Sequence, residues 1–246
     1  MISETLFDDG VRKWVFFGRD PERPGHIIDT NEYLVAHDGK GTLLDPGGIE
    51  VFPAVVTAVS SATDLNVVES MLASHQDPDI ISSLSLWSKL IPDLKVYCSR
   101  IWSDFLSHFE FDVNFVLVPD EGGPLPLNGS TDLQIVPAHY CHSSGNFSVH
   151  DPRAKILFSG DIGAALLPDT HQDIKVKNFD DHIRFMEGFH RRWMPSMDAK
   201  SRWVERVSAL DVDLMCPQHG AIFEGEDVGR FLQWFDELEV ASAIQV

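Results

Sequence analysis

Apolar residues come in short runs along the first fifty positions and then begin to alternate between two periods. Trp14–Gly18, Glu32–Ala36 and Gly41–Leu44 have the length and apolar content of strands, and the Asp38-Gly39 pair between the last two is a hairpin signal. Residues 52–59 are apolar on most faces and predict a short helix. From Asn66 onward strand and helix patterns take turns: a strand over 67–73, a helix over 79–91, a strand over 95–97, a helix over 101–109 and a strand over 114–118. The turn-rich stretch 119–124 leads into further strands near Leu127 and over 133–136, 147–149, 156–158 and 214–216. Helical stripes follow over 179–194, 200–210 and 228–240, while 166–177 lacks a period and is expected as a loop beside the site. Alternation of this kind is α/β logic, with two similar halves packing sheet against sheet under outer helices.

At 246 residues and 43% hydrophobic, the chain is expected to form one domain over 1–246. Its 38 acidic against 19 basic residues give a formal charge of −19, which disfavours nucleic acid and anionic membranes as partners. The opening residues Met1–Asp9 are too acidic for a secretory leader, and no apolar run is long enough to span a bilayer. Three widely spaced cysteines, Cys98, Cys141 and Cys216, argue against a disulfide framework, so a cytoplasmic location is expected. Cys141 and Cys216 are expected to pack as small hydrophobes rather than to bind metal. The aromatics of 179–210 are expected in the core or at a homodimer surface, and His26 and His37 in solvated loops.

Chemistry concentrates where predicted strands end. Ser74-His75-Gln76-Asp77-Pro78-Asp79 follows the strand 67–73; His75 and Asp77, two residues apart, point to one side of an extended segment, and Asp79 can swing back after Pro78. A structural reading competes, in which Asp79 is only a helix cap and Asp77-Pro78 only a turn. His139, Asp161 and His219 each also follow an apolar run, which would put four segments at one edge of the sheets, where open α/β folds hold ligands.

The order His-x-Asp-x-Asp, a His after Pro-Ala, Ser-Gly-Asp and Pro-x-His-Gly resembles the metallo-β-lactamase superfamily. Asp77, where hydrolytic zinc members carry His, is similar to the carboxylate of flavodiiron proteins, as are Thr30–Val35, Leu43–Gly47 and Met215–Gly220. The resemblance implies a metallo-β-lactamase-like αββα sandwich, two mixed sheets face to face with helices outside. It implies His75, Asp77 and His139 on one iron, Asp79 and His219 on the other, and Asp161 between them. Two departures stand out. Ile80 occupies the place of a further ligating His, and no flavodoxin segment or flavin site is visible, as in the flavin-free oxygen-binding di-iron proteins.

These similarities imply a non-haem di-iron protein that binds O2 or another diatomic gas, acting as an oxygen or redox sensor, or as an oxidoreductase fed by an electron-donor or signalling protein. Three imidazoles and three carboxylates suit iron or manganese, with zinc as the alternative. His142, His171 and Tyr140 are the groups expected around the position Ile80 leaves open. The rival reading is a metal-dependent hydrolase of esters, thioesters or phosphodiesters; a third is a metal-free interaction module.

Overall fold

The computed structural model describes residues 1–246 except 24, 107, 109–112, 129 and 246. Seven strands build the first sheet in chain order: β1 (Ile2–Asp8), β2 (Arg12–Gly18), β3 (Glu32–His37), β4 (Lys40–Leu44), β5 (Val68–Leu72), β6 (Lys95–Ser99) and β7 (Asn114–Val118). The first four pair antiparallel and β4 to β7 run parallel. The second sheet holds β8 (Gly123–Leu127), β9 (Ser130–Pro137), β10 (Phe147–Asp151), β11 (Ile156–Gly160), β12 (Leu214–Pro217) and β13 (Phe223–Glu224) in the spatial order 13-12-11-10-9-8, with β11 and β12 parallel.

Trp14, Phe16, Tyr33 and Val35 of the first sheet meet Leu133, Phe147, Val149 and Phe158 of the second in one buried cluster, so the sheets pack face to face. Such period-two faces remove large apolar areas from water on both layers at once. Arg12 and the Trp14 indole both donate to Asp151 across the sheets, each at 2.7 Å, in a fully buried ion pair. Helices α1 (Phe52–Ala62), α2 (Pro78–Ile81) and α3 (Leu84–Leu90) cover the first sheet through Val55, Val59, Ile80, Ile81 and Trp87. After the one-turn α4 (Ser103–Leu106), helices α5 (Phe179–Trp193), α6 (Met197–Ser208) and α7 (Glu226–Glu237) cover the second. The architecture is the αββα sandwich that the sequence patterns predict.

Several elements depart from expectation. The acidic strand β1 is not anticipated, because Ile2–Asp8 lacks a clean apolar alternation and lies at an edge of the sheet. The helix expected over 79–91 is two helices, interrupted at Ser82 and Ser83: the Ile49 amide donates to Ser82 Oγ, and Ser83 Oγ donates to the Gly47 carbonyl at 2.5 Å. Of the helix expected over 101–109, Ser103–Leu106 forms α4; the expected end at Phe109 lies outside the described residues, as does Pro24 of the first loop. His26 is exposed as expected, but His37 closes β3 half-buried, its Nδ1 accepting from Arg12 Nε at 3.2 Å. All three cysteines are free and buried, and burial pushes the Cys98 and Cys141 thiols up to about 12.

Candidate metal centre

Parallel pairing of β4 with β5 and of β11 with β12 brings the loops after β4, β5, β11 and β12 to one edge of the sandwich. At the end of β4, Asp45 takes a left-handed backbone (φ 46°) and its carboxylate accepts from the Ser74 amide at 2.7 Å and from Ser74 Oγ at 2.6 Å. Ser74 Oγ lies 2.9 Å from His75 Nδ1. With Nδ1–H donating to Ser74 and Ser74 donating to Asp45, the chain fixes one tautomer and turns the His75 Nε2 lone pair outward. Asp77 stands at the N-cap position of α2, yet its side chain makes no capping bond. Its carboxylate faces the imidazoles instead, which decides against the turn-only reading.

Gly160 ends β11 with φ 59°, a conformation that favours glycine, and swings Asp161 inward. Gly220, φ 89°, sits where a Cβ would come within 2.6 Å of the Ala165 Cβ, so only glycine lets the chain after His219 pass. His219 Nδ1 donates to the Asp29 carbonyl at 2.8 Å, which again presents Nε2 to the interior.

The side chains form two lobes that share Asp161. In the first, His142 Nε2 lies 3.1 Å from His75 Nε2, 3.3 Å from Asp77 Oδ2 and 3.1 Å from Asp161 Oδ2. His75 Nε2 lies 3.6 Å from each of the same two carboxylate oxygens. One ligand atom from each of these four residues falls within 4.8 Å of all the others. In the second lobe, His219 Nε2 is 3.2 Å from Asp79 Oδ2 and 3.5 Å from Asp161 Oδ1. Asp161 Oδ1 is buried and has no hydrogen-bond partner among the described residues.

Of the residues expected from sequence, the structure therefore brings together His75, Asp77, Asp79, Asp161 and His219. His139 is not among them. Its Nε2 pairs with the Asp120 carbonyl at 2.7 Å and its ring rests on Phe147, so His142 fills the lobe instead. The loop that delivers His142 carries left-handed backbone at Tyr140 (φ 61°) and His142 (φ 78°) and is tied down by Ser143 Oγ donating to Gln76 Oε1 at 2.6 Å. Tyr140 is exposed, and His171 packs against Phe185 without touching the cluster. Ile80 is fully buried in the outer core of the first sheet and offers no donor.

Electrostatics follow from this packing. Burial opposes charge on His219, but its bond to Asp79 and the charges of Asp161 and Asp79 outweigh that and raise it to about 9. Burial likewise opposes charge on His75, and Asp161 and Asp77 raise it well above the usual imidazole value. For Asp161, burial pushes upward, yet the surrounding His75, His142 and His219 hold it well below the carboxylate range. Behind the lobes, burial raises Glu32 to about 8 and Asp45 to about 7. Three imidazoles aimed at shared carboxylates, with one carboxylate oxygen unpartnered, are a donor set that a pair of cations fits. His75, His142, Asp77 and Asp161 would hold one ion, and His219, Asp79 and Asp161 the other.

The chain is similar to the apo state of the chemotaxis sensor ODP from T. denticola, at 36% identity over 97% of this chain and 95% of that one, with a TM-score of 0.87. A structure described as a peroxy diiron species of chemotaxis sensor ODP matches at 35% identity over 98% and 96% of the two chains, TM-score 0.85. Among curated relatives, a diflavin flavoprotein (A 3) from Synechocystis is 24% identical over 88% of this chain; the chain spans 37% of that relative's length. A family model described as ODP family beta lactamase matches residues 28–220. The chain belongs to the ODP family of beta-lactamase-fold proteins.

Proposed function

We propose that the protein is a non-haem di-iron protein that binds O2 at the two-lobed site and serves as an oxygen or redox sensor, or as an oxidoreductase that a partner protein supplies with electrons. The observation that carries this reading is Asp161, whose two oxygens face different imidazoles, Oδ2 toward His142 and His75 and Oδ1 toward His219. Two ferrous ions, when bound, supply the electrons and the open positions that a diatomic ligand needs. The chain's own residues supply the rest. His75 and His219 are held by Ser74 and the Asp29 carbonyl so that Nε2 faces the ions. Asp77 and Asp79 add hard oxygen donors, which with Asp161 help stabilise the ferric state. Ile80 adds none, so among the described residues the second lobe would hold its ion through His219, Asp79 and the shared Asp161. The likeness to a sensor that forms a peroxy diiron species supports the choice of ligand.

Metal analysis of anaerobically purified protein tests the proposal, with about two irons per chain expected from a donor set of this hardness. Asp161→Ala should deplete both ions together, because it removes a donor from each lobe. Full iron retention in that variant would overturn the bridging role. Two zinc ions with efficient ester or phosphodiester hydrolysis would favour the hydrolase instead.

A further inference from the structure

One wall of the first lobe is aromatic. The His142 ring meets Trp193 edge-on, with centroids 5.6 Å apart, and is tilted against Phe189 at 6.1 Å. Phe189 and Trp193 lie four residues apart on one face of α5 and stack on each other at 6.0 Å. Trp193 is 54% exposed, so its indole has His142 on one side and solvent on the other. The remaining donors are enclosed: the side chains of His75, His142, Asp161 and His219 are 0%, 8%, 5% and 4% exposed, against 29% for Asp77 and 27% for Asp79. The mouth therefore runs along the two carboxylates, and the α5 rings bound it on the His142 side. Phe189 offers this wall no hydrogen bond and Trp193 only its indole N–H, so a carbonyl or phosphoryl oxygen finds at most one donor there, and the carboxylates at the mouth repel anions.

From this geometry we infer that Trp193, backed by Phe189, is a specificity-determining residue. It restricts the position beside His142 to small ligands, above all a neutral diatomic, and excludes the ester- and phosphoester-sized molecules that an open two-metal site would accept. The inference rests on the di-iron reading and deepens it, because it gives a steric reason why a fold able to support hydrolysis would bind a gas here.

The test compares two anionic probes on the oxidised, iron-loaded protein: azide, which is narrow, and phenylphosphonate, which is broad. Iron content is measured on the same samples. Trp193→Ala removes the wall at a half-exposed position and should bind phenylphosphonate tighter by about tenfold or more, a typical steric discrimination. Azide affinity should move far less, and Trp193→Phe should keep the parent's selectivity. Unchanged phenylphosphonate affinity in Trp193→Ala, or an equal gain for both probes, would overturn the gate while leaving the metal site intact. A parent protein that takes up no metal would overturn the di-iron reading and the gate with it.

Discussion

Asp161 can stay ionised while 3% exposed because three imidazoles surround it. A carboxylate buried this deeply without them would take up a proton. The same dependence makes His142 decisive for the first lobe, since its Nε2 is the closest imidazole nitrogen to both Asp161 and Asp77. His142→Ala should lower metal content and leave the second-lobe ion weakly held through the shared Asp161. His139→Ala should retain metal, because its ring is engaged with Asp120 and Phe147 outside the lobes. Metal analysis of the two variants separates them, and the reverse pattern would reinstate His139. Five of the six ligands expected from sequence are where strand ends place them, because β5, β11 and β12 finish at a common edge. The sixth was not legible. His139 and His142 share a loop whose left-handed turns at Tyr140 and His142 decide which ring points inward, and no periodicity reports a single positive φ.

At the level of elements, the short helix α2 sets what the site lacks. Its first turn puts Asp77 and Asp79 toward the lobes, while Ile80 and Ile81 go into the core with Leu84, Trp87 and Val96. Helical geometry requires that division, since residues at 100° intervals cannot all face one site. Ile80→His would thus place an imidazole in an apolar cluster rather than beside a metal. The expected outcome is a loss of about 2 to 4 kcal/mol in unfolding free energy, from lost packing and an unpaired polar group, with no gain in iron affinity. Denaturant titration and metal competition check both halves, and tighter iron binding would show that α2 can rotate toward the lobe. The helix pattern over 79–91 was legible as apolar spacing. The break within it was not, because Ser82 and Ser83 make their bonds to Ile49 and Gly47, far away in sequence.

Across the whole molecule, groups around the site set how the fold responds to pH. The sandwich was legible because its core is built from period-two and period-3.6 stripes; the ion pair of Arg12 with Asp151 was not, because it joins strands of different sheets. Nor did the charge count of −19 distinguish solvated acids from buried ones. Glu32, Asp45 and His219 all bind a proton more tightly in the metal-free fold than their ordinary values of 4.5, 3.8 and 6.5, reaching about 8, 7 and 9. Each therefore favours the fold at low pH and costs stability as pH rises through its folded value. Asp77 and Asp161 act oppositely: they are lowered, so what they contribute is present above the ordinary carboxylate range and lost on acidification below it. His182 and His190, which burial lowers to about 4, oppose the loss with rising pH below the ordinary imidazole value, so the metal-free protein should hold its melting midpoint through mild acid and lose it from about pH 7 to about pH 9. Bound cations displace the protons from His219 and His75 but leave Glu32 and Asp45 titrating, so the loaded protein should show the same trend with a shallower slope. Thermal melts of chelator-treated and iron-loaded samples across that range decide the matter. A metal-free midpoint that climbs toward pH 9 would mean that the buried carboxyls and His219 are not protonated in the fold as this packing requires.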